Sequence, residues 1–206
     1  LLNRELIEMG ALCEEVIALA AQSLTEGSGT LAARVSPLDA EIDRKEREIE
    51  SLCLKLLLQQ QPVARDLRQI SAALKMITDM ERIGDQAEDI AEIVLLLNGR
   101  GTESSELMRG MARSTIKMVT DSVDAYVRRD TALAEQVIAE DDTVDDYFTR
   151  VRQALIARIA ADPADGEFAL DILMIAKYFE RIGDHATNIA EWVIFSVTGE
   201  HKSEEG

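Results

Sequence analysis

One sequence motif occurs twice, about a hundred residues apart, and this repeat constrains the fold more than any other feature of the chain. Residues 81–92 read ERIGDQAEDIAE and residues 180–191 read ERIGDHATNIAE, so nine of twelve positions are identical at an offset of 99. A period of that length is too long for the repeating unit of a solenoid. The sequence therefore predicts one small domain that is used twice.

A second pair of segments supports the duplication. LDAEID at 38–43 corresponds to EDDTVD at 140–145 at an offset of 102, and this alignment superimposes two aspartates of each segment. The polar break NGRGTESS at 98–105 separates the copies. The predicted units are a first domain over 1–100, a second domain over 104–199 and a polar tail over 200–206.

Long helices are the expected elements, because the 206 residues include only three prolines and 11 glycines. Apolar residues recur with helical spacing, and no segment alternates as a strand would. The predicted helices span 2–26, 30–60, 63–97, 104–128, 130–161 and 166–198. We expect a kink near Pro37 inside the second helix. The fold class is all-α, with two tandem pseudo-symmetric three-helix bundles.

The net charge of −17 makes nucleic acid and anionic membrane surfaces poor partners, and favours cations and basic protein surfaces. No apolar run approaches the ~20 residues of a membrane-spanning helix, so membrane insertion is not expected. Cys13 and Cys53 are the only cysteines, which excludes a thiolate zinc site. Two lone thiols in apolar surroundings are typical of a reduced cytoplasmic protein.

Acidic residues form stripes on two adjacent predicted helices of each half. At about 100° per residue, the third helix has an acidic stripe roughly 140° from its apolar stripe, which predicts an outward-facing surface. The second helix has its acids at the flank of its apolar face. The first-half acids are Asp39, Asp43, Glu46 and Glu50, and Glu81, Asp85, Glu88 and Glu92. The matching second-half residues are Asp141, Asp145, Phe148 and Arg152, and Glu180, Asp184, Thr187 and Glu191.

Carboxylates at positions i and i+4 point the same way, ~5–6 Å apart, and destabilise a helix by their repulsion. Two such pairs facing each other would be compensated by a hard multivalent cation such as Mg²⁺, Mn²⁺ or Fe³⁺. The alternative is a solvated surface without metal. Gly84 and Gly183 lie in mid-helix, where glycine costs about 1 kcal/mol, and indicate either a close approach to the backbone or a tight helix crossing.

The two candidate metal sites are predicted to be unequal. The first half offers up to eight acids, whereas the second offers five acids and the cation Arg152. Affinity for a multivalent ion rises with ligand charge, so the first site should hold more ions or hold them more tightly. His185 is expected to be solvated, with a role as a softer second-site ligand as the alternative.

The repeated ERIGD motifs, together with QQPVARDLRQI at 60–70 and LDAEID at 38–43, resemble the PhoU family of phosphate-specific transport accessory proteins over the whole chain. The resemblance implies two three-helix bundles that bind iron or zinc, with magnesium or manganese as further possibilities. It further implies a cytoplasmic, homodimeric negative regulator of phosphate uptake and phosphate-starvation signalling. The implied partners are the ATPase subunit of the phosphate ABC transporter and a sensor histidine kinase. The residues that match the family's metal-binding motifs are Asp39, Asp43, Glu81, Asp85, Asp141, Asp145, Glu180 and Asp184.

Two other classes of protein remain as alternatives. A carboxylate-bridged di-iron oxidase would use Glu-x-x-His motifs on inward faces, but no such motif occurs and position 182, three before His185, is Ile. A metal-free helical scaffold would retain no metal on purification. No nucleophile–base constellation stands out, so catalysis is not expected.

Overall fold

A computed structural model describes residues 1–100 and 105–201, apart from the side chain of Ser105. The described part is helical, without a strand, which confirms the all-α class. A 3₁₀ turn over Pro163–Asp165 precedes the last helix. The α-helices are α1 Leu2–Thr25, α2 Gly29–Ala33, α3 Val35–Gln59, α4 Ala64–Leu96, α5 Ser105–Arg128, α6 Thr131–Ala161 and α7 Gly166–Thr198.

Local side-chain chemistry accounts for several helix ends. The Ser28 hydroxyl accepts a hydrogen bond from the Leu31 N–H at 3.1 Å and starts α2. The Asp130 carboxylate does the same for the Leu133 N–H at 3.0 Å and starts α6. Gly199 has a φ of 81°, a left-handed conformation that suits glycine, and ends α7. Most predicted helix ends therefore agree within one residue. Residues 101–104 of the predicted break, including the predicted helix start at 104, and residues 202–206 of the tail lie outside the described residues.

The predicted single helix over 30–60 with a kink near Pro37 is corrected by the structure. The helix is interrupted at Arg34, which separates α2 from α3. Pro37 is the third residue of α3, in the first turn, where a missing N–H breaks no helical hydrogen bond. The proline therefore fits a helix start, and the interruption falls before it.

Each half forms its own three-helix group: α1, α3 and α4 pack together, and so do α5, α6 and α7. The halves are joined by α4, which packs antiparallel along α7 in the most extensive helix pairing of the described chain, and by α1 against α5. The predicted apolar stripes are buried in the hydrophobic core. They comprise Met80, Ile83, Ala87, Ile90 and Val94 on α4, and Phe179, Ile182, Ala186, Ile189 and Val193 on α7.

One hydrophobic core therefore runs through both halves. Cys13 and Cys53 are buried within it as free thiols. None of the helices in the described ranges is both long enough and apolar enough to cross a membrane.

Candidate metal centre

The acidic stripe of α4 faces α3 and is partly enclosed, so the predicted outward orientation is wrong. Asp39 of α3 is only 4% exposed. The acids Asp43, Glu46, Glu81, Asp85 and Glu88 are half-buried. Glu50 of the α3 stripe and Glu92 of the α4 stripe are exposed to solvent. The helix wheel gave the correct stripe, but it could not show that α3 contributes its own flank to cover it.

Six carboxylates are thus enclosed between α3 and α4, and five of them converge in two overlapping groups. Oxygens of Asp43, Glu81 and Asp85 lie within 4.8 Å of one another, and so do oxygens of Asp39, Asp85 and Glu88. Asp85 belongs to both groups. The four predicted first-half residues are therefore brought together, as the sequence led us to expect. Glu88 was counted among the eight acids of the first half, but it was not among the residues that the family resemblance implied as ligands; its place on the acidic stripe, one turn after Asp85, was the signal for it.

Gly84 makes this convergence possible. A β-carbon at this position would lie 2.3 Å from Asp39 Oδ1 and 3.2 Å from Ile42 Cδ1. The Asp39 carboxylate therefore lies directly against the α4 backbone, at a close crossing of α3 and α4. Both proposed roles of the glycine, close approach and tight crossing, are realised at one position.

Two oxygens in this cluster are buried without a hydrogen-bond partner, Asp39 Oδ1 and Asp43 Oδ1. Burial of an unpaired polar atom costs free energy, so such atoms call for a ligand or another physical reason. Burial, together with the nearby carboxyl groups of Glu88, Asp43 and Asp85, raises the pKa of Asp39 to about 8. Burial, the hydrogen bond with Asp85 and the surrounding negative charges raise the pKa of Glu81 to about 8.

A cation would supply what this cluster lacks. It would bind the unpartnered oxygens, displace the protons and cancel the repulsion among the carboxylates. The donors of both groups are carboxylate oxygens, with neither histidine nor cysteine among them. Such a donor set suits Mg²⁺, Mn²⁺ or Fe³⁺ better than Zn²⁺. The residues present therefore fit a hard multivalent ion.

The second half repeats the helix crossing. A β-carbon on Gly183 would lie 3.2 Å from Asp141 Oδ1 and 3.3 Å from Val144 Cγ1. These contacts correspond to those of Gly84 with Asp39 and Ile42, at the offsets seen in the sequence. Asp141 Oδ1 is likewise buried without a partner, and burial with neighbouring negative charge raises the pKa of Asp141 to about 7.

The four predicted second-half residues are less closely assembled. Asp145 and Asp184 are exposed, Asp141 and Glu180 are half-buried, and no converging acidic group of the first-half kind forms here among the described residues. Glu180 instead forms an ion pair with Lys177. Arg152, the cation singled out from the sequence, is exposed. Lys177 was missed, although it precedes Glu180 by three residues where the first half has Thr78 before Glu81.

His185 is not solvated, contrary to the expectation from the sequence. Its Nδ1 lies 3.0 Å from Asp79 Oδ1 on α4, and its side chain is only 16% exposed. The Asn188 side-chain amide donates to the same oxygen at 3.2 Å. His185 Nδ1 therefore contacts the other half of the molecule and is not directed at the second-half acids, which we call the second acidic cluster: Asp141, Asp145, Glu180 and Asp184.

The two copies that were recognised in the sequence match one family model, described as the PhoU domain, over residues 6–94 and 108–193. A protein of Clostridium acetobutylicum named phosphate-specific transport system accessory protein PhoU homolog is 36% identical over 200 residues. That alignment covers 96% of this chain and 91% of the relative.

Solved structures show the same architecture. The crystal structure of PhoU from Pseudomonas aeruginosa has a TM-score of 0.88 at 35% identity and covers 97% of this chain and 96% of that one. The phosphate transport system regulatory protein PhoU from Streptococcus pneumoniae has a TM-score of 0.87 at 25% identity, with 97% and 95% covered. The paired three-helix arrangement is therefore shared along almost the whole of both chains.

Proposed function

This chain belongs to the PhoU family, and on that premise we propose that it is a metal-binding negative regulator of phosphate uptake and phosphate-starvation signalling. The observation that carries the proposal is the match to a phosphate transport accessory protein over 96% of the chain. Relatives of this length are named as accessory or regulatory proteins of phosphate transport. The proposal assigns this chain the same regulatory role, without catalytic turnover.

The proposed partners are the ATPase subunit of the phosphate ABC transporter and a sensor histidine kinase, between which the chain acts as an adaptor. The family names support the first partner, because they place relatives within the phosphate-specific transport system. The charge of −17 favours basic surfaces on both partners. We include a homodimeric state and a cytoplasmic location in the same proposal.

Metal binding is assigned to both acidic clusters, and chiefly to the first. Asp39, Asp43, Glu81 and Asp85, with Glu88, would hold the ion or ions there. Asp141, Asp145, Glu180 and Asp184 form the second, weaker site. A bound ion supplies positive charge at the crossing of α3 with α4 and fixes the two helices against each other. The unpartnered Asp39 Oδ1 and Asp43 Oδ1 support this role.

The regulatory part is tested by deleting the gene in a host where it is the sole member of its family. Phosphate-starvation genes should then be expressed in phosphate-rich medium, and the wild-type gene should restore repression. The variant Glu81→Gln/Asp85→Asn tests whether the first cluster is needed. Glu50→Gln/Glu92→Gln is the matched control, because it removes the same charge from exposed acids of the two stripes on α3 and α4. Continued repression after deletion would overturn the proposed function.

The metal part is tested by measuring the metal content of purified protein before and after chelation. Metal retained before chelation, and recovered when Mn²⁺ or Fe³⁺ is added, supports the proposal. The metal-free scaffold alternative predicts no retained metal and no saturable binding. That result would leave the regulatory role standing and remove metal from it.

A further inference from the structure

The two acidic clusters lie in the same structural register but differ at several positions, among them Glu50 and Glu88 of the first half, which correspond to Arg152 and Thr187. Thr78 of the first half is replaced by Lys177 in the second, and Glu46 is replaced by Phe148. The register is fixed by the matching contacts of Gly84 and Gly183 with the helix that crosses each of them. The Thr78/Lys177 and Glu46/Phe148 differences therefore occur at equivalent places beside each cluster.

The two replacement residues contact each other. The Lys177 ammonium lies over the Phe148 ring, 5.3 Å from its centroid, where the electron-rich face of the ring attracts a cation. The same ammonium forms an ion pair with the Glu180 carboxylate, whose side chain is only 14% exposed. The second half therefore has the Phe148 ring where the first half has an acid, and it has the Lys177 ammonium, which contacts that ring, where the first half has a threonine.

The charge of Lys177 reaches the rest of the second cluster. Burial raises the pKa of Asp145 and of Asp184, and the nearby Lys177 ammonium offsets part of both increases. By contrast, no ion pair with lysine or arginine is formed by Asp39, Asp43, Glu81 or Asp85 in the part of the chain that the structure describes. The second cluster therefore already has a positively charged side chain paired with one of its acids, whereas the first cluster has none among the described residues.

We propose that Lys177 is a built-in counter-ion that competes with metal for the second acidic cluster, so that this chain binds metal tightly in its first half alone. The inference rests on the proposed metal binding and specifies how it is divided between the halves. A metal ion entering the second cluster must displace the ammonium from Glu180 or bind close to it. Repulsion between an ammonium and a divalent ion a few ångströms apart lowers the affinity by about tenfold.

The test is titration of chelated protein with Mn²⁺, followed by electron paramagnetic resonance, to obtain the number of bound ions and their affinities. Lys177→Thr introduces the first-half residue and should tighten second-cluster binding about tenfold. Lys177→Arg keeps the charge and should behave as the wild type does. Lys117→Thr is the control for net charge, because Lys117 pairs with Asp121 on the exposed side of α5. Adding Glu180→Gln to Lys177→Thr should abolish the gain, which locates it at the second cluster.

The reciprocal variant Thr78→Lys places an ammonium three residues before Glu81 and should weaken first-cluster binding about tenfold. If the wild type binds Mn²⁺ at the first cluster and Lys177→Thr leaves the second unchanged, the competition proposal is overturned while the proposed metal function stands. Equally tight binding at both clusters of the wild type overturns it too. If no variant binds Mn²⁺ at either cluster, metal binding itself fails, and the proposal with it.

Discussion

The His185 imidazole and the Asp79 carboxylate meet across the junction of the two halves, with Nδ1 3.0 Å from Oδ1. Asp79 is 7% exposed, which makes it one of the few buried acids of the described chain. Within the described chain, both hydrogen-bond partners of the Asp79 carboxylate, His185 and Asn188, belong to α7. The carboxylate of one half is therefore satisfied by donors from the other.

His185→Ala should lower the free energy of unfolding by about 1–2 kcal/mol, because it leaves the buried Asp79 carboxylate with one donor fewer. Urea unfolding measures the change. A double-mutant cycle with Asp79→Asn should give a coupling of at least about 0.5 kcal/mol. His185→Gln keeps a side-chain donor and should lose less than His185→Ala. Additive effects in the cycle would show that the contact contributes nothing to stability.

Gly84→Ala should weaken Mn²⁺ binding at the first cluster by about tenfold or more, because the new methyl group would displace the Asp39 carboxylate. The free energy of unfolding should change by less than about 1 kcal/mol, because the higher helix propensity of alanine offsets the cost of moving the Asp39 side chain. Gly183→Ala is the matched variant, and its nearest contact is a milder 3.2 Å. Mn²⁺ titration and urea unfolding of both proteins provide the measurement. An unchanged affinity for Mn²⁺ in Gly84→Ala would show that the glycine is not needed for metal binding.

Metal-free protein should become less stable as the pH rises from about 4 to about 8. The pKa values of Asp39 and Glu81 are raised to about 8 and that of Asp141 to about 7, above their ordinary values of 3.8 for Asp and 4.5 for Glu. In this window the unfolded chain has lost protons that the folded state still binds, so the free energy of unfolding falls as the pH rises, until these groups ionise in the folded state as well. Urea unfolding in chelator at several pH values measures the slope. Asp39→Asn should flatten it, and a slope of opposite sign would contradict the raised pKa values.

Neutralising the two halves should have unequal effects on metal content. Glu81→Ala/Asp85→Ala should remove most of the bound metal, because Asp85 belongs to both converging groups. Glu180→Ala/Asp184→Ala should remove little, since Glu180 is already paired with Lys177. Metal analysis after dialysis against limiting Mn²⁺ distinguishes the two. Equal losses would mean that the additional acids of the first half act only as a solvated surface.

Helix positions were predictable from local signals, but the interruption of the helix near Pro37 was not placed correctly. Proline marks a region where a helix cannot simply continue, and it is compatible with either an interior kink or a first turn. In the structure, Ser28 caps the separate helix α2 and the interruption at Arg34 lets a new helix start, so Pro37 lies in the first turn of α3 and not at an interior kink. The second half gave no guidance, because its matching segment has no proline and α6 is continuous there.

The parts of the site that depend on spacing within a single helix were predictable from the sequence. The spacing of Asp39 with Asp43, and of Glu81 with Asp85, gave the four first-half acids. The enclosure of these acids depends on how α3 crosses α4, and the partner of His185 depends on the packing of α4 along α7. Both are tertiary relationships between helices, so neither a helical wheel nor motif spacing contains them.

The antiparallel pairing of α4 with α7 brings the two copies of one motif face to face, as an isologous contact would in a dimer with twofold symmetry. Within a single chain, however, the two faces are encoded separately. A residue need not suit its own symmetry mate, and a substitution on one face is not imposed on the other. Asp79 and His185 show this freedom, because the corresponding positions hold Tyr178 and Gln86. Duplication in tandem thus lets a symmetric scaffold carry two surfaces that diverge independently, which a homodimer of half-length chains cannot do.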